Sequence, residues 1–257
     1  MKLIFLDLDG TLLRSDKTIS DYSCKILRQC QERGHLIAFS TARGETNVLT
    51  YIDQVHPDVV ISSAGAMVRL HEKIVYQCAY TAEEARRILQ SARKIAGNRC
   101  HITLDAPEAH YANFTDPSRE GQQWGYVNQT SFLDWDGPAL KICVELESDA
   151  QAKQIAASVS GCSWIRFSDG QWYKFTLEKA TKEAAIAYLM NHLRVSAEDT
   201  IAFGDDFSDI GMLQMCGSGV AMANAIPEVK RVAKAFADTN DHDGVAQYLA
   251  ENFLTEE

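Results

Sequence analysis

Carboxylates, a hydroxyl and a lysine stand in this chain where they could act together on a phosphate. Asp7 and Asp9 occupy Asp7-Leu8-Asp9-Gly10-Thr11, and Asp205 and Asp209 occupy Gly204-Asp205-Asp206-Phe207-Ser208-Asp209. Thr41 lies in Ser40-Thr41-Ala42-Arg43 after another apolar stretch, and Lys182 opens a helical pattern before the last acidic pair. Like charges as close as Asp7 and Asp9 repel, and an apolar setting raises the cost, so a divalent cation with oxygen ligands is the expected compensation. An aspartate is ionised at neutral pH and attacks without an activating base, provided a cation removes its repulsion from the phosphate. The group in transfer spreads charge over its oxygens, which a lysine, a hydroxyl and backbone amides can bind. A second carboxylate nearby can give the leaving oxygen a proton and later take one from water.

These groups need a scaffold that brings them to one edge. Residues 2–6 read Lys-Leu-Ile-Phe-Leu, an apolar run without polar alternation, as in a strand covered on both faces. Asp7 and Asp9 then fall at its C-terminal end, where open α/β sheets bind ligands, and extended alternation points both side chains to one side. Gly10 permits a sharp turn there. Ser20 caps an expected helix to about residue 33, with Tyr22, Ile26, Leu27 and Cys30 on one stripe and Gly34 as the stop. A strand over 36–39, a helix over about 45–55 and a strand over 58–62 follow. Ala64-Gly65-Ala66 then leads into a hairpin of 67–70 with 74–80. The β-α-β-α-β order implies a doubly wound, mainly parallel sheet of the α/β class.

Near residue 81 the pattern changes. Thr81 and Glu84 form a capping box for a helix to about residue 96, and a strand over 101–104 comes next. Residues 107–136 are rich in aromatic, Gly, Asn and Gln side chains without a period, and read as loops with one short helix. A strand over 140–146, a helix over 149–158 and strands over 164–167 and 172–176 complete an α+β unit inserted at 82–176. The doubly wound core comprises 1–81 and 177–257. Its second half holds a helix over 182–193, a strand over 200–203, a helix over 210–215, a strand over 219–222, a helix from Pro227 and a last helix from Gly244.

Composition narrows the functions. The chain has 257 residues, 46% of them hydrophobic, which suffices for one large or two modest cores. A net charge of -10 with no Lys/Arg stripe argues against binding the nucleic-acid backbone. Seven cysteines, an odd number without a Cys-x-x-Cys pair, read as reduced thiols. No signal-like start and no apolar run of spanning length is found, so a cytoplasmic protein without membrane partners is expected.

The motifs Asp7-Leu8-Asp9-Gly10-Thr11, Ser40-Thr41-Ala42-Arg43, Lys182 and Gly204-Asp205-x-x-x-Asp209 together resemble those of the haloacid dehalogenase superfamily of phosphatases. The insertion between the second and third motifs resembles the C2 (IIB) cap of the Cof-type subfamily. Gly219-Val220-Ala221-Met222-Ala223-Asn224-Ala225 and Asp243-Gly244-Val245 resemble its closing segments. The resemblance implies a Mg²⁺-dependent phosphatase acting on small phosphomonoesters, sugar phosphates or similar metabolites. Asp7 would be the nucleophile that forms an aspartyl-phosphate, and Asp9 the general acid and base. Mg²⁺ would be held by Asp7, the carbonyl of Asp9 and Asp205, with Asp209 close by. Thr41 and the Ala42 amide would bind phosphate, and Lys182 would steady both phosphate and Asp7. Leu8, Gly10, Thr11, Arg43, Ser208 and Asn224 complete the implied phosphate and substrate contacts. The implied cap would close over a small phosphorylated metabolite, and the chain would be a monomer or at most a weak homodimer.

Two positions depart from the subfamily pattern: Ala64-Gly65-Ala66 replaces Asn-Gly-Ala, and Ser208 replaces Asn before Asp209. A phosphotransferase or mutase using the same aspartyl-phosphate, and a weakly catalytic phosphometabolite-binding protein, are the alternatives. Within the insert, His101, Asp105, His110, Tyr111, Arg119, Lys141, Trp172 and Lys174 could face the substrate, although core or surface roles are the default for each.

Overall fold

The computed structural model describes residues 1–115, 127–167 and 170–254. The chain begins with β1 (Leu3–Leu6), α1 (Asp21–Glu32), β2 (Leu36–Ser40), α2 (Leu49–Val55) and β3 (Val59–Ser62). The antiparallel strand β4 (Met67–Leu70) and β5 (Lys73–Gln77) follow. Ser20 accepts from the Ser23 amide at the N-terminus of α1, and Ile26, Leu27 and Cys30 are buried as the stripe requires, whereas Tyr22 in the first turn is exposed and Ser23 is buried in its place. The single helix expected over 45–55 is instead a short 3-10 turn, Glu45–Asn47, followed by α2.

An inserted stretch carries α3 (Ala82–Ala96), β6 (Ile102–Asp105), β7 (His110–Ala112), β8 (Val127–Gln129), β9 (Lys141–Glu145), α4 (Asp149–Ala156), β10 (Cys162–Arg166) and β11 (Trp172–Leu177). These strands form a sheet in the order β10-β11-β9-β6-β7-β8. The Thr81–Glu84 capping box is present. Ile102, Leu104, Ile142, Val144, Tyr173 and Phe175 form a core with Ile88 and Leu89 of α3 and Ile155 of α4. No helix lies among the described residues 107–115 and 127–136, and the short helix expected within 107–136 is left to residues 116–126, outside the described residues. Two strands not expected there, β7 and β8, have three residues each, too short to show a period and held by pairing with neighbours. Arg119 lies outside the described residues.

The chain then returns through α5 (Lys182–Leu193), β12 (Thr200–Gly204), α6 (Ile210–Met215), β13 (Ser218–Met222), α7 (Pro227–Val232), β14 (Ala235–Ala237) and α8 (Gly244–Phe253). The larger sheet runs β14-β13-β12-β1-β2-β3-β4-β5, parallel from β14 through β3. β14 was not expected; its three residues are defined by their pairing with β13 rather than by any pattern of their own. β1 is central, with β2 on one side and β12 on the other. The order of connection therefore reverses at β1, which is where a doubly wound sheet opens a crevice at its strand ends.

By internal contact the described residues divide into two compact units, one comprising Met1–Ala42, Thr50–Tyr76 and Lys182–Glu257 and the other Arg43–Leu49 and Gln77–Thr181. Arg43–Leu49 falls in the second unit, outside the expected 82–176, because Gly44 lies against Asp105. A Cβ at Gly44 would come 2.7 Å from that carboxyl.

Candidate active site

The C-terminal end of β1 sets the first carboxylate. The Asp7 amide still bonds across the sheet to the Phe203 carbonyl at 3.2 Å, and the chain then leaves the sheet. Leu12 donates to the Asp7 carbonyl, while Thr11 and Leu13 both donate to that of Leu8. Gly10 adopts φ +81, and a Cβ there would lie 2.3 Å from Oδ2 of Asp205. Gly10 is thus required twice, for its left-handed backbone and for the close approach of two motifs. The Leu8 side chain is fully buried, so only its backbone could meet a substrate.

Because the chain turns after Asp7, extended alternation stops there. Asp9 does not join the group of carboxylates around Asp7; its Oδ1 accepts from Lys17 Nζ at 2.8 Å, in a half-exposed ion pair. Asp9 therefore sits beyond the extended run of β1, beside Lys17. Lys17 itself carried no signal in the sequence. It is presented by a tight turn in which its amide bonds to the Arg14 carbonyl and its φ is +65.

Lys182, the first residue of α5, is 2% exposed and donates to Oδ1 of Asp7 and Oδ1 of Asp209, both at 2.6 Å. Asp209 is fully buried. Its Oδ2 accepts from the backbone amides of Asp205 and Asp206, closing the turn after β12. Three of its roughly four acceptor positions are therefore in use, and its part is to fix Lys182 and that turn. Asp205 accepts from the Thr11 hydroxyl at 2.9 Å, which ties the second acidic motif to the first. Among the described residues no hydrogen bond engages Oδ2 of Asp7.

Carboxylate oxygens of Asp7, Asp205 and Asp209 lie within 4.8 Å of one another. Three carboxylates against one ammonium leave an excess of negative charge in a buried place. Burial, reinforced by Asp209 and Asp205, holds the Asp7 carboxyl well above its usual range despite Lys182. Burial and Asp209 push Asp205 up to about 7, against the opposing Thr11 bond. Lys182 is raised: both carboxylates outweigh its burial. A set of hard oxygen donors with uncompensated charge fits a divalent cation such as Mg²⁺.

The remaining expected residues divide. Thr41, at the end of β2, is buried, and its carbonyl accepts from the Ala64 amide at 3.0 Å. Ser63, Ala64 and Gly65 have successive φ values of +50, +62 and +95, so Ala64 occupies a backbone region that Asn would enter more cheaply. Ala42 closes one segment of the first unit, whereas Arg43 belongs to the second. Asn224 donates to the Gly10 carbonyl at 2.7 Å and accepts from the Asn240 amide at 3.1 Å, so its amide braces the turn at Gly10. Ser208 is exposed in the turn Phe207–Asp209.

This topology and these strand-end carboxylates define a hydrolase class, and comparison with known proteins agrees. A family model for haloacid dehalogenase-like hydrolases matches residues 4–249, and the chain belongs to that family. It is 26% identical to the putative phosphatase YkrA of Bacillus subtilis over 97% of each chain. It is 27% identical to the 5-amino-6-(5-phospho-D-ribitylamino)uracil phosphatase YitU of the same organism, over 98% of this chain and 97% of that one. A haloacid dehalogenase-like hydrolase from Bacteroides thetaiotaomicron shares the fold, with a TM-score of 0.86 and 23% identity over 98% of this chain and 99% of its own. The chain is thus an enzyme of a phosphatase family.

Proposed function

We propose that the enzyme is a Mg²⁺-dependent phosphatase of small phosphomonoesters that works through an aspartyl-phosphate on Asp7. The observation that carries this is Lys182 bound between Asp7 and Asp209 with Asp205 alongside. Lys182 orients Oδ1 of Asp7 and leaves Oδ2 to attack phosphorus. The bond from phosphorus to the ester oxygen breaks as the Asp7–phosphorus bond forms, and Asp9 passes a proton to the departing alcohol. Asp9 then takes a proton from water as that water attacks the aspartyl-phosphate, releasing inorganic phosphate and restoring Asp7. Thr41 and the Ala42 amide donate to the phosphoryl oxygens, with Lys182 as the fixed positive charge beside them. A bound Mg²⁺, held by Asp7, Asp205 and the Asp9 carbonyl, would supply the positive charge that lets an anionic nucleophile and an anionic phosphate meet.

The inserted unit would set substrate choice, excluding bulk water and macromolecular phosphoesters. YitU, named for a phosphorylated ribityl compound, supports a small phosphorylated metabolite as the substrate class. The test is phosphate release from a panel of small phosphomonoesters by purified enzyme, with Mg²⁺ and then with EDTA, beside Asp7→Asn. Metal-dependent release that Asp7→Asn abolishes is expected; release that survives the substitution would sink the nucleophile assignment.

A further inference from the structure

The loop that follows Asp7-Leu8-Asp9-Gly10-Thr11 is anchored residue by residue, and every anchor lies in the first unit. The Arg14 amide donates to the Thr18 carbonyl at 3.0 Å, and the Lys17 amide donates to the Arg14 carbonyl at 2.9 Å. That is the pattern of a three-residue hairpin loop over 15–17, whose last position ordinarily holds glycine. The Arg14 guanidinium is bidentate on Asp243 at 2.7 and 3.2 Å, and the Ser15 amide and hydroxyl both donate to Asp241. Asp16 accepts from the Thr18 amide and hydroxyl, and the Lys17 carbonyl accepts from the buried Tyr51 hydroxyl at 2.9 Å.

The glycine position of this loop is occupied by Lys17 at φ +65, a left-handed backbone that an L side chain enters at a cost. What the side chain gains there is its ion pair with Oδ1 of Asp9 at 2.8 Å, both partners being 40% exposed. A pair as open to water as that adds less to stability than the left-handed backbone takes away. Glycine would serve the loop better, so the reason for lysine lies in what its ammonium does to Asp9. Backbone strain that the local fold does not need clusters at functional positions. With its own backbone tied to Arg14 and Tyr51, Lys17 gives the Asp9 carboxylate a fixed point to align against.

We infer that Lys17 is a positioning residue for the second half of the reaction, aligning the Asp9 carboxylate to take a proton from the water that attacks the aspartyl-phosphate. This rests on the phosphatase reading and deepens it. In that step the water oxygen bonds to phosphorus and its proton passes to Asp9. The bond from phosphorus to the Asp7 oxygen breaks, and its electron pair returns to Asp7. An ammonium pairs with the ionised carboxyl, which is the form that accepts a proton.

The test is stopped-flow hydrolysis of p-nitrophenyl phosphate by the intact enzyme with Mg²⁺. This ester's leaving group departs as p-nitrophenolate without needing a proton. Its kcat/KM therefore reports transfer to Asp7, and kcat reports loss of phosphate from Asp7 once that step is the slower. Lys17→Gly relieves the loop while removing the ammonium, so its Tm should equal or exceed that of the wild type. Its kcat should fall by about 10-fold or more with kcat/KM held within about 2-fold, and a stoichiometric burst of p-nitrophenolate should precede the slow phase. Lys17→Arg should recover most of the lost kcat, and in an Asp9→Asn background Lys17→Gly should lower kcat no further. The inference is overturned if Lys17→Gly leaves kcat intact, lowers kcat/KM in step with kcat, or acts as strongly without Asp9, or if Lys17→Arg does no better than Lys17→Gly. A wild-type enzyme that hydrolyses no ester, or an Asp7→Asn variant that still does, overturns the phosphatase reading and takes the inference with it.

Discussion

The enzyme holds two buried charge clusters whose carboxyls are shifted in opposite directions. Around Asp7, three carboxylates share one lysine, and burial pushes Asp7 and Asp205 up. Around Asp105, one carboxylate is shared by Lys141 and His110 with Lys174 nearby, and Asp105 is driven down. Asp7 and Asp105 are both buried at or between strands, so burial alone does not decide the outcome. The pairing does: in the first set three carboxylates meet one ammonium, a donor set that fits a divalent cation, whereas in the second Asp105 is paired through both of its oxygens.

The sharpest way to break the first cluster is at the nucleophile. Asp7→Asn should cut turnover by about 10⁴-fold or more while the fold persists, read as phosphate release beside a thermal melt. Next is the shared cation. Lys182→Met strands Asp7 and Asp209 and should cost roughly 3–5 kcal/mol in denaturant unfolding without metal. Lys141→Met should cost less, roughly 1–3 kcal/mol, because His110 remains on Asp105. Equal losses at the two lysines would erase the proposed difference between the clusters.

A smaller effect follows from Asp205. Its folded carboxyl titrates at about 7 against 3.8 in the unfolded chain, so between those values the folded state binds the extra proton. Stability in EDTA should therefore fall as pH rises from about 4 to 7, by an amount on the order of 2 kcal/mol once partial water access is allowed for. Mg²⁺ favours the ionised form and should flatten the curve. Parallel Tm profiles with and without Mg²⁺ would show that no metal is held at these carboxylates. Least of all, Asn224→Ala removes the brace on Gly10 and should cost about 1 kcal/mol in stability, together with a several-fold loss in kcat/KM.

Much of this was legible in the residues. Apolar runs marked β1, β2 and β12, helix periodicity and capping residues marked α1, α3 and α5, and carboxylates at strand ends marked Asp7 and Asp205. Those signals are local, written in a side-chain period or a cap within a few residues. The three-residue strands β7, β8 and β14 escaped because so short a run has no period and exists only through its partner. The partner of Asp9 escaped for a related reason: alternation holds only while the chain stays extended, the turn at Gly10 ends it, and nothing local pointed to Lys17.

By itself the sequence determined which residue types stand at the strand ends, and with them the kind of chemistry the chain can support, because elements of this length form from local pattern. Tertiary structure alone decided which charges meet. Lys182 lies between Asp7 and Asp209, Lys17 takes Asp9, and Asp105 is enclosed by His110 and Lys141. The pairing of charges far apart in the chain, and the burial that shifts their protonation, are set by strand order and register, which no local window contains.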